Sequence, residues 1–151
     1  MSRVLITGGA GFIGSHAAEA FLASGNEVSI VDNLATGRRE NLPPGARFFQ
    51  ADITDAAALD VVFSAARPDV VAHLAAQTSV RISTQDPAHD LRVNVLGTVL
   101  LLERAARTGV RQFIFSSSGG ALYGDGAPLP TAEGEACRPA SPYGVSKLAG
   151  E

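Results

Sequence analysis

Residues 3–16 read RVLITGGAGFIGSH: a five-residue strand-like segment, Arg3–Thr7, runs straight into a glycine-rich turn and then into a stretch able to form a helix. Val, Leu and Ile in succession, ended by glycine, are the mark of a short buried strand. The turn reads as GxxGxxG on Gly8, Gly11 and Gly14, or as GxGxxG on Gly9, Gly11 and Gly14. One glycine in such a turn permits a tight bend, and a second lets backbone N–H groups approach a pyrophosphate. The third, Gly14, lets the following helix pack close to the strand with its N-terminal amides facing the phosphates.

A glycine turn alone can simply join a strand to a helix. Here Asp32 follows Gly14 by eighteen residues, at the end of a second strand-like segment. A carboxylate at that point accepts hydrogen bonds from a ribose hydroxyl and repels a 2′-phosphate, so NAD is favoured over NADP. Arg38 and Arg39 come shortly after and leave NADP open.

Outward from this turn, apolar runs alternate with helical patterns. Strands are expected at Arg3–Thr7, Glu27–Val31, Arg47–Ala51, Asp69–Leu74 and Gln112–Ser116. Helices are expected over Gly14–Ser24, over Asp55–Ala66 with Thr54 or Asp55 as cap, and over about His89–Thr108 with Leu91, Val95, Leu102 and Ala106 on its apolar stripe. The alternation implies an α/β fold: a Rossmann-like, doubly wound parallel sheet covered on both faces. Two connections, Gln77–Ala88 and Gly119–Ala140, are longer than a plain link requires, and loops at strand C-termini are where such sheets bind ligands.

The chain has 151 residues, enough for one domain over 1–151, and is 46% hydrophobic and 18% charged. Its net charge of −3, with no basic stripe, argues against nucleic acid as a partner. No apolar run approaches the ~20 residues of a membrane span, and the N-terminus reads as a strand instead of a signal peptide. The single cysteine, Cys137, has no internal partner, so a reducing, cytoplasmic setting is expected.

Chemistry concentrates near the far end. The fifth strand runs into Ser116-Ser117-Ser118, hydroxyls at the ligand edge of a parallel sheet. Ser141-Pro142 then starts a helix on which Tyr143 and Lys147, four residues apart, share a face. Lys147 is the single lysine among twelve Lys and Arg residues. A phenol titrates near pH ~10 and is a poor base at neutrality. A nearby ammonium and an oxidised nicotinamide both favour the phenolate. Tyr143 is thus a candidate base for a sugar hydroxyl, Lys147 its activator, and Ser118 the group that holds the reacting oxygen. The plain alternative is a surface tyrosine and a solvated lysine that fall four apart.

The segments TGGAGFIGSH, VDNLATG, ADITD, HLAAQTSV, NVLGT, FSSSGGALYGDG and SPYGVSK together resemble the extended short-chain dehydrogenase/reductases, the UDP-glucose 4-epimerase-like group of the NAD-dependent epimerase/dehydratase family. The resemblance covers essentially the whole chain. It implies an NAD site formed by Gly8, Gly11, Phe12, Ile13, Gly14, Asp32, Asn33, Asp52, Ile53, Leu74, Ala75, Ala76, Asn94 and Lys147, with Asp52 and Ile53 along the adenine. It implies catalysis by Ser118, Tyr143 and Lys147 on a UDP-sugar, whose C4 is oxidised to a ketone and reduced on its other face. It also implies a homodimer. Asp52 can equally be a turn residue before a helix, and Asn94 a helix-interior group bonded to a loop. The serine run holds no carboxylate where dehydratases carry an acid, which favours epimerisation; one extra residue before Tyr123-Gly124 leaves Ser117 open beside Ser118.

The resemblance further implies relatives about twice as long, so the chain reads as the N-terminal portion of such an enzyme, the sheet incomplete at about five strands and the substrate domain missing. Weak NAD binding and poor turnover are expected of it. A related decarboxylase, dehydratase or reductase, or a non-catalytic dinucleotide-binding module, are the other readings. His16, His73 and His89 lack metal-ligand spacing, and no metal is expected. His73 reads as a satisfied core histidine. Arg104, Arg107 and Arg111 read as the solvated side and end of a helix.

Overall fold

Arg3–Thr7 forms β1, the central strand of a five-stranded sheet in the computed structural model, which describes Met1–Glu151. The chain divides into two units: residues 1–76 with 97–116, and residues 77–96 with 117–151.

The first unit holds the sheet. Its strands are β1, β2 (Glu27–Asp32), β3 (Arg47–Gln50), β4 (Val70–His73) and β5 (Gln112–Phe115), in the order β3-β2-β1-β4-β5. All four pairings are parallel. The chain moves from β1 outward to β3, returns to the other side of β1 and moves outward again to β5. The order therefore reverses between β1 and β4, the switch point at which doubly wound sheets bind ligands. The expected α/β architecture is present. β3, β4 and β5 each end one residue early, yet Ala51, Leu74 and Ser116 still donate to the neighbouring strand as the chain turns away.

Side-chain alternation assigns the two faces of the sheet. Val4 and Ile6, with Val28 and Ile30, pack against α1 (Phe12–Ala23) through Ala18, Phe21 and Leu22. Leu5 and Val71 are fully buried, as is Leu59 of α2 (Ala56–Ala66) and Leu101 of α5 (Gly97–Thr108). Asp55 caps α2, accepting from the amides of Ala57 and Ala58. A Cβ on Gly97 would lie 2.7 Å from Ile53 Cδ1, so α5 approaches this closely only because position 97 has no side chain. His73 is buried between Thr7 Oγ1 at 2.7 Å and Thr98 Oγ1 at 2.9 Å. Thr7 Oγ1 accepts from the amides of Leu74 and Ala75, so its own proton goes to His73 Nδ1 and the imidazole donates from Nε2. This is the satisfied core histidine read from the strand.

Arg104 corrects the sequence reading. It is buried, bonds the carbonyls of Leu100 and Ala56 and pairs with Asp60 at 3.1 Å, so it ties α5 to α2 and does not lie on the solvated side. An arginine stem can cross an apolar contact when its head finds acceptors beyond it.

At the other end of the sheet, Arg3 grips Asp69 through its amide, Nε and Nη2. These bonds hold the Asp69 carboxyl well below the usual carboxylate range. The stabilisation is therefore complete above that range and drains as pH falls through it. Asp69→Asn is expected to flatten the acid side of a plot of urea midpoint against pH; an unchanged acid limb contradicts this.

The second unit is helical. It comprises α3 (Val80–Gln85), α4 (Pro87–Leu91), a π turn (Arg92–Leu96), α6 (Gly119–Leu122) and α7 (Pro142–Gly150). α3 falls in a stretch expected to be loop, and is capped by Ser79, which accepts from Ile82 N–H. Asp86 accepts from His89 N–H with Pro87 at the first helical position, which starts α4 two residues before the expected start. The single helix expected over His89–Thr108 is thus α4, a π turn and α5. The buried positions are Asp90, Asn94, Gly97, Thr98, Leu101, Arg104 and Ala105, whereas Leu91 and Leu102 of the expected stripe are exposed. α7 starts as expected: Ser141 Oγ accepts from Gly144 N–H at 3.1 Å, and Pro142 is at its N-terminus. No helix is long and apolar enough to cross a membrane.

Candidate functional site

In the first unit the site begins at the glycine turn. Gly8 has φ +71°, and a Cβ there would sit 2.7 Å from Ala75 N, because the backbone leaving β4 passes directly over it. A Cβ on Gly14 would lie 2.2 Å from Gly8 O, inside the turn itself. A Cβ on Gly9 would lie 2.5 Å from Ile30 Cγ2. Gly11 differs: it has extended backbone, φ −81° and ψ 174°, and a Cβ there would meet only Gly8 O, at 3.3 Å. The fold thus accounts for Gly8, Gly9 and Gly14. Gly11 stands at the N-cap of α1, where close approach of a ligand to the backbone is the remaining demand for glycine.

Asp32 is buried at the C-terminal end of β2. Its Oδ2 accepts from Ala10 N–H at 3.0 Å and its Oδ1 from Leu34 N–H at 2.8 Å. The carboxylate thereby joins the glycine turn to the β2 loop, and a carboxylate keeps lone pairs for further donors. Asn33 is exposed, and its Nδ2 donates to Asp52 Oδ2 at 2.8 Å. Asp52 Oδ1 also accepts from the amide and hydroxyl of Thr54, so Asp52 shapes the turn before α2 and presents its edge beside Asn33. Ile53 is buried against Gly97, whereas Phe12 and Ile13 are exposed, at 79% and 64%. Leu74, Ala75 and Ala76 are half-buried as the chain leaves β4. A turn with an open N-cap glycine, a helix N-terminus and a carboxylate at the next strand end suit the pyrophosphate and adenosine ribose of a dinucleotide.

The second unit carries the other candidates. Tyr143 and Lys147 lie on α7; Tyr143 is half-buried and Lys147 is buried, 5% exposed. Burial pushes the Lys147 ammonium below its ordinary value, and the Asp90 carboxylate acts in the opposite sense. The buried charge disposes of the solvated-lysine alternative. Ser118 is half-buried at the N-cap of α6, with its side chain not used for capping, whereas Ser117 Oγ is buried without a hydrogen-bond partner.

Asn94 is buried in the π turn. Its Oδ1 accepts from Gln77 N–H at 2.8 Å, and its Nδ2 donates to Gln77 O, Asp90 Oδ1 and Ser146 Oγ. Gln77 Nε2 donates to Asp90 Oδ1 at 2.8 Å, and Ser83 Oγ accepts from Tyr143 N–H at 3.1 Å. Sequence reasoning missed Gln77, Ser83, Asp90 and Ser146. Their signal is faint: Asp90 and Asn94 are one helical turn apart and so share a face, with His89 and Arg92 interspersed among the apolar residues around them.

The same framework recurs in known proteins. A UDP-glucose 4-epimerase of Mycolicibacterium smegmatis is 46% identical over 154 residues, covering 99% of this chain and 49% of that protein. The crystal structure of UDP-glucose 4-epimerase with UDP-glucose from Thermotoga maritima superposes with a TM-score of 0.95 at 47% identity, over 97% of this chain and 48% of that one. The Thermus thermophilus UDP-glucose 4-epimerase complex with NAD gives 0.94 at 49% identity, over 98% of this chain and 48% of that one. The chain therefore spans about half the length of the relatives it matches. The NAD dependent epimerase/dehydratase family itself matches residues 4–151, which include the glycine turn, Asp32, Tyr143 and Lys147. By that match and by the sheet that carries the turn, the chain belongs to this family.

Proposed function

We propose that the chain is the NAD-binding portion of a sugar-nucleotide 4-epimerase acting on UDP-glucose and UDP-galactose. The observation that carries the reading is the buried Lys147 one turn from Tyr143 on α7. Taking an ammonium out of water is costly, and a site that uses its charge accounts for the burial.

Gly8, Gly11 and Gly14 with the first turn of α1 would hold the pyrophosphate, and Asp32 and Asn33 the adenosine ribose. Asp52, Ile53, Leu74, Ala75, Ala76, Phe12 and Ile13 would line the remainder, with Asn94 and Lys147 toward the nicotinamide end. When bound, NAD supplies the acceptor and donor of hydride. Tyr143 takes the proton of the sugar C4 hydroxyl as the carbon is oxidised, and returns it when the ketone is reduced on its other face. Lys147 favours the phenolate form of its neighbour by its charge. Ser118 holds the reacting oxygen by a hydrogen bond; the enclosed Ser117 Oγ is less suited to reach a substrate. The absence of a carboxylate in Ser116-Ser117-Ser118-Gly119-Gly120 supports epimerisation over dehydration.

The partner is a second copy of the chain. α5 exposes Val99 and Leu102, and in the second unit Leu91, Leu96 and Val145 are exposed. Apolar residues regularly spaced on a helix face and left in water suit a helix-to-helix dimer contact. The lone Cys137 suits a cytoplasmic protein.

The function is tested by titrating the chain with NAD and with NADP in a calorimeter, then following UDP-glucose by mass-resolved chromatography. Binding that prefers NAD, with UDP-galactose as product, is expected. Preference for NADP sinks the Asp32 assignment, and a product of different mass sinks epimerisation.

A further inference from the structure

Two charged side chains are buried in the second unit, and they have opposite signs: Asp90 on α4, 0% exposed, and Lys147 on α7. α4 and α7 pack against each other. Asp90 Oδ1 is occupied by Gln77 Nε2 and Asn94 Nδ2. Its Oδ2 is buried and has no hydrogen-bond partner. An ionised oxygen in that state is costly unless a cation answers it. The surrounding elements offer no rival to Lys147. Arg81 on α3, Asp86 at the α4 cap, His89 on α4 and Arg92 in the π turn are exposed, α6 carries no titratable side chain, and Tyr143 is the other titratable group within α7.

We propose that Asp90 is a positioning residue of the site, its Oδ2 being the buried counter-charge that keeps the Lys147 ammonium charged and in place one turn from Tyr143. Oδ2 makes no direct hydrogen bond, so the interaction acts through the charge of the carboxylate or through one ordered water. Gln77 and Asn94 hold the other oxygen, and Asn94 also bonds Ser146, the residue before Lys147, so one network sets both partners. The electrostatics agree in direction: burial disfavours the ammonium and the Asp90 charge favours it. The inference deepens the Tyr143–Lys147 reading and rests on it for its consequence in catalysis, though not for the contact itself.

Because Lys147 is the only lysine, labelling with isotopic lysine yields one side-chain signal, and its titration can be followed by NMR with no turnover required. Asp90→Asn keeps the shape and an oxygen for Gln77 and Asn94 but removes the charge. It is expected to lower the Lys147 titration midpoint by about 1–3 pH units, the effect of losing a close opposite charge. A role limited to packing leaves the midpoint unmoved, and that result overturns the proposal. Should the variant not fold, the unsubstituted chain still decides: the Asp90 carboxyl carbon shift must move as Lys147 titrates, and a flat response overturns it. In the NAD-loaded protein, kcat on UDP-glucose is expected to fall while KM holds. A coupled titration without epimerase turnover supports the pair and removes only the reading of the reaction.

Discussion

Under the proposed epimerase function, a Tyr143→Phe variant is expected to bind NAD as tightly as the unsubstituted chain and to interconvert UDP-glucose and UDP-galactose about 10²–10⁴-fold more slowly, the usual contribution of a positioned acid–base group. The substitution removes one oxygen and leaves the helix intact. α7 is started by Ser141 Oγ on Gly144 N–H, and Tyr143 contributes its amide to Ser83 Oγ and its carbonyl to Ser146 Oγ, contacts that phenylalanine retains. Stability should therefore change little, and the loss should appear in kcat. Calorimetric NAD titration beside a turnover assay checks both halves. Retained turnover would move the base to another residue and end the epimerase mechanism drawn around α7.

The glycine turn gives the second large effect, because two glycines one helical turn apart have different reasons to exist. In Gly14→Ala the new methyl would sit 2.2 Å from Gly8 O and 2.7 Å from Gly9 Cα. Both are backbone atoms, so α1 must move away from the turn. A loss of about 1–3 kcal/mol in stability, as for other overpacked sites, is expected together with a loss of NAD affinity. Gly11→Ala meets only Gly8 O at 3.3 Å and has extended backbone open to any residue. Its stability should fall by no more than about 1 kcal/mol, the range for a cap position, while NAD affinity falls at least tenfold because the methyl stands where phosphate oxygens approach. Urea unfolding and calorimetry separate the two. Equal damage to stability by both variants would mean that Gly11 serves the fold and leaves the pyrophosphate without its cradle.

Much of this is readable along the chain because it depends on neighbours in sequence. β1 is a run of Val, Leu and Ile cut off by Gly8, and α7 is announced by Ser141-Pro142. That the strands are parallel follows from the alternation of strands and helices, since parallel neighbours need crossovers; their order β3-β2-β1-β4-β5 does not. The family likewise follows from segments that keep their order from Thr7 to Lys147.

The errors lie where neighbours in space prevail. Leu91 and Leu102 look like core by their spacing, yet they are exposed, and Asp90, Asn94, Leu101 and Ala105 form the buried stripe one position earlier. Periodicity ranks residues by apolarity, so it has no means of placing a carboxylate and an amide in an interior that hydrogen bonds make tolerable. Periodicity assigns Arg104 to water for the same reason: its acceptors, Ala56 O and Asp60, belong to a distant helix in the chain. Local order in the polymer is thus enough for the sheet, the turn and the Tyr143–Lys147 face. The burial of charge around Lys147 and the distinct duties of Gly11 and Gly14 emerge only once distant segments are packed together, because desolvation and steric contact are properties of surroundings and not of sequence.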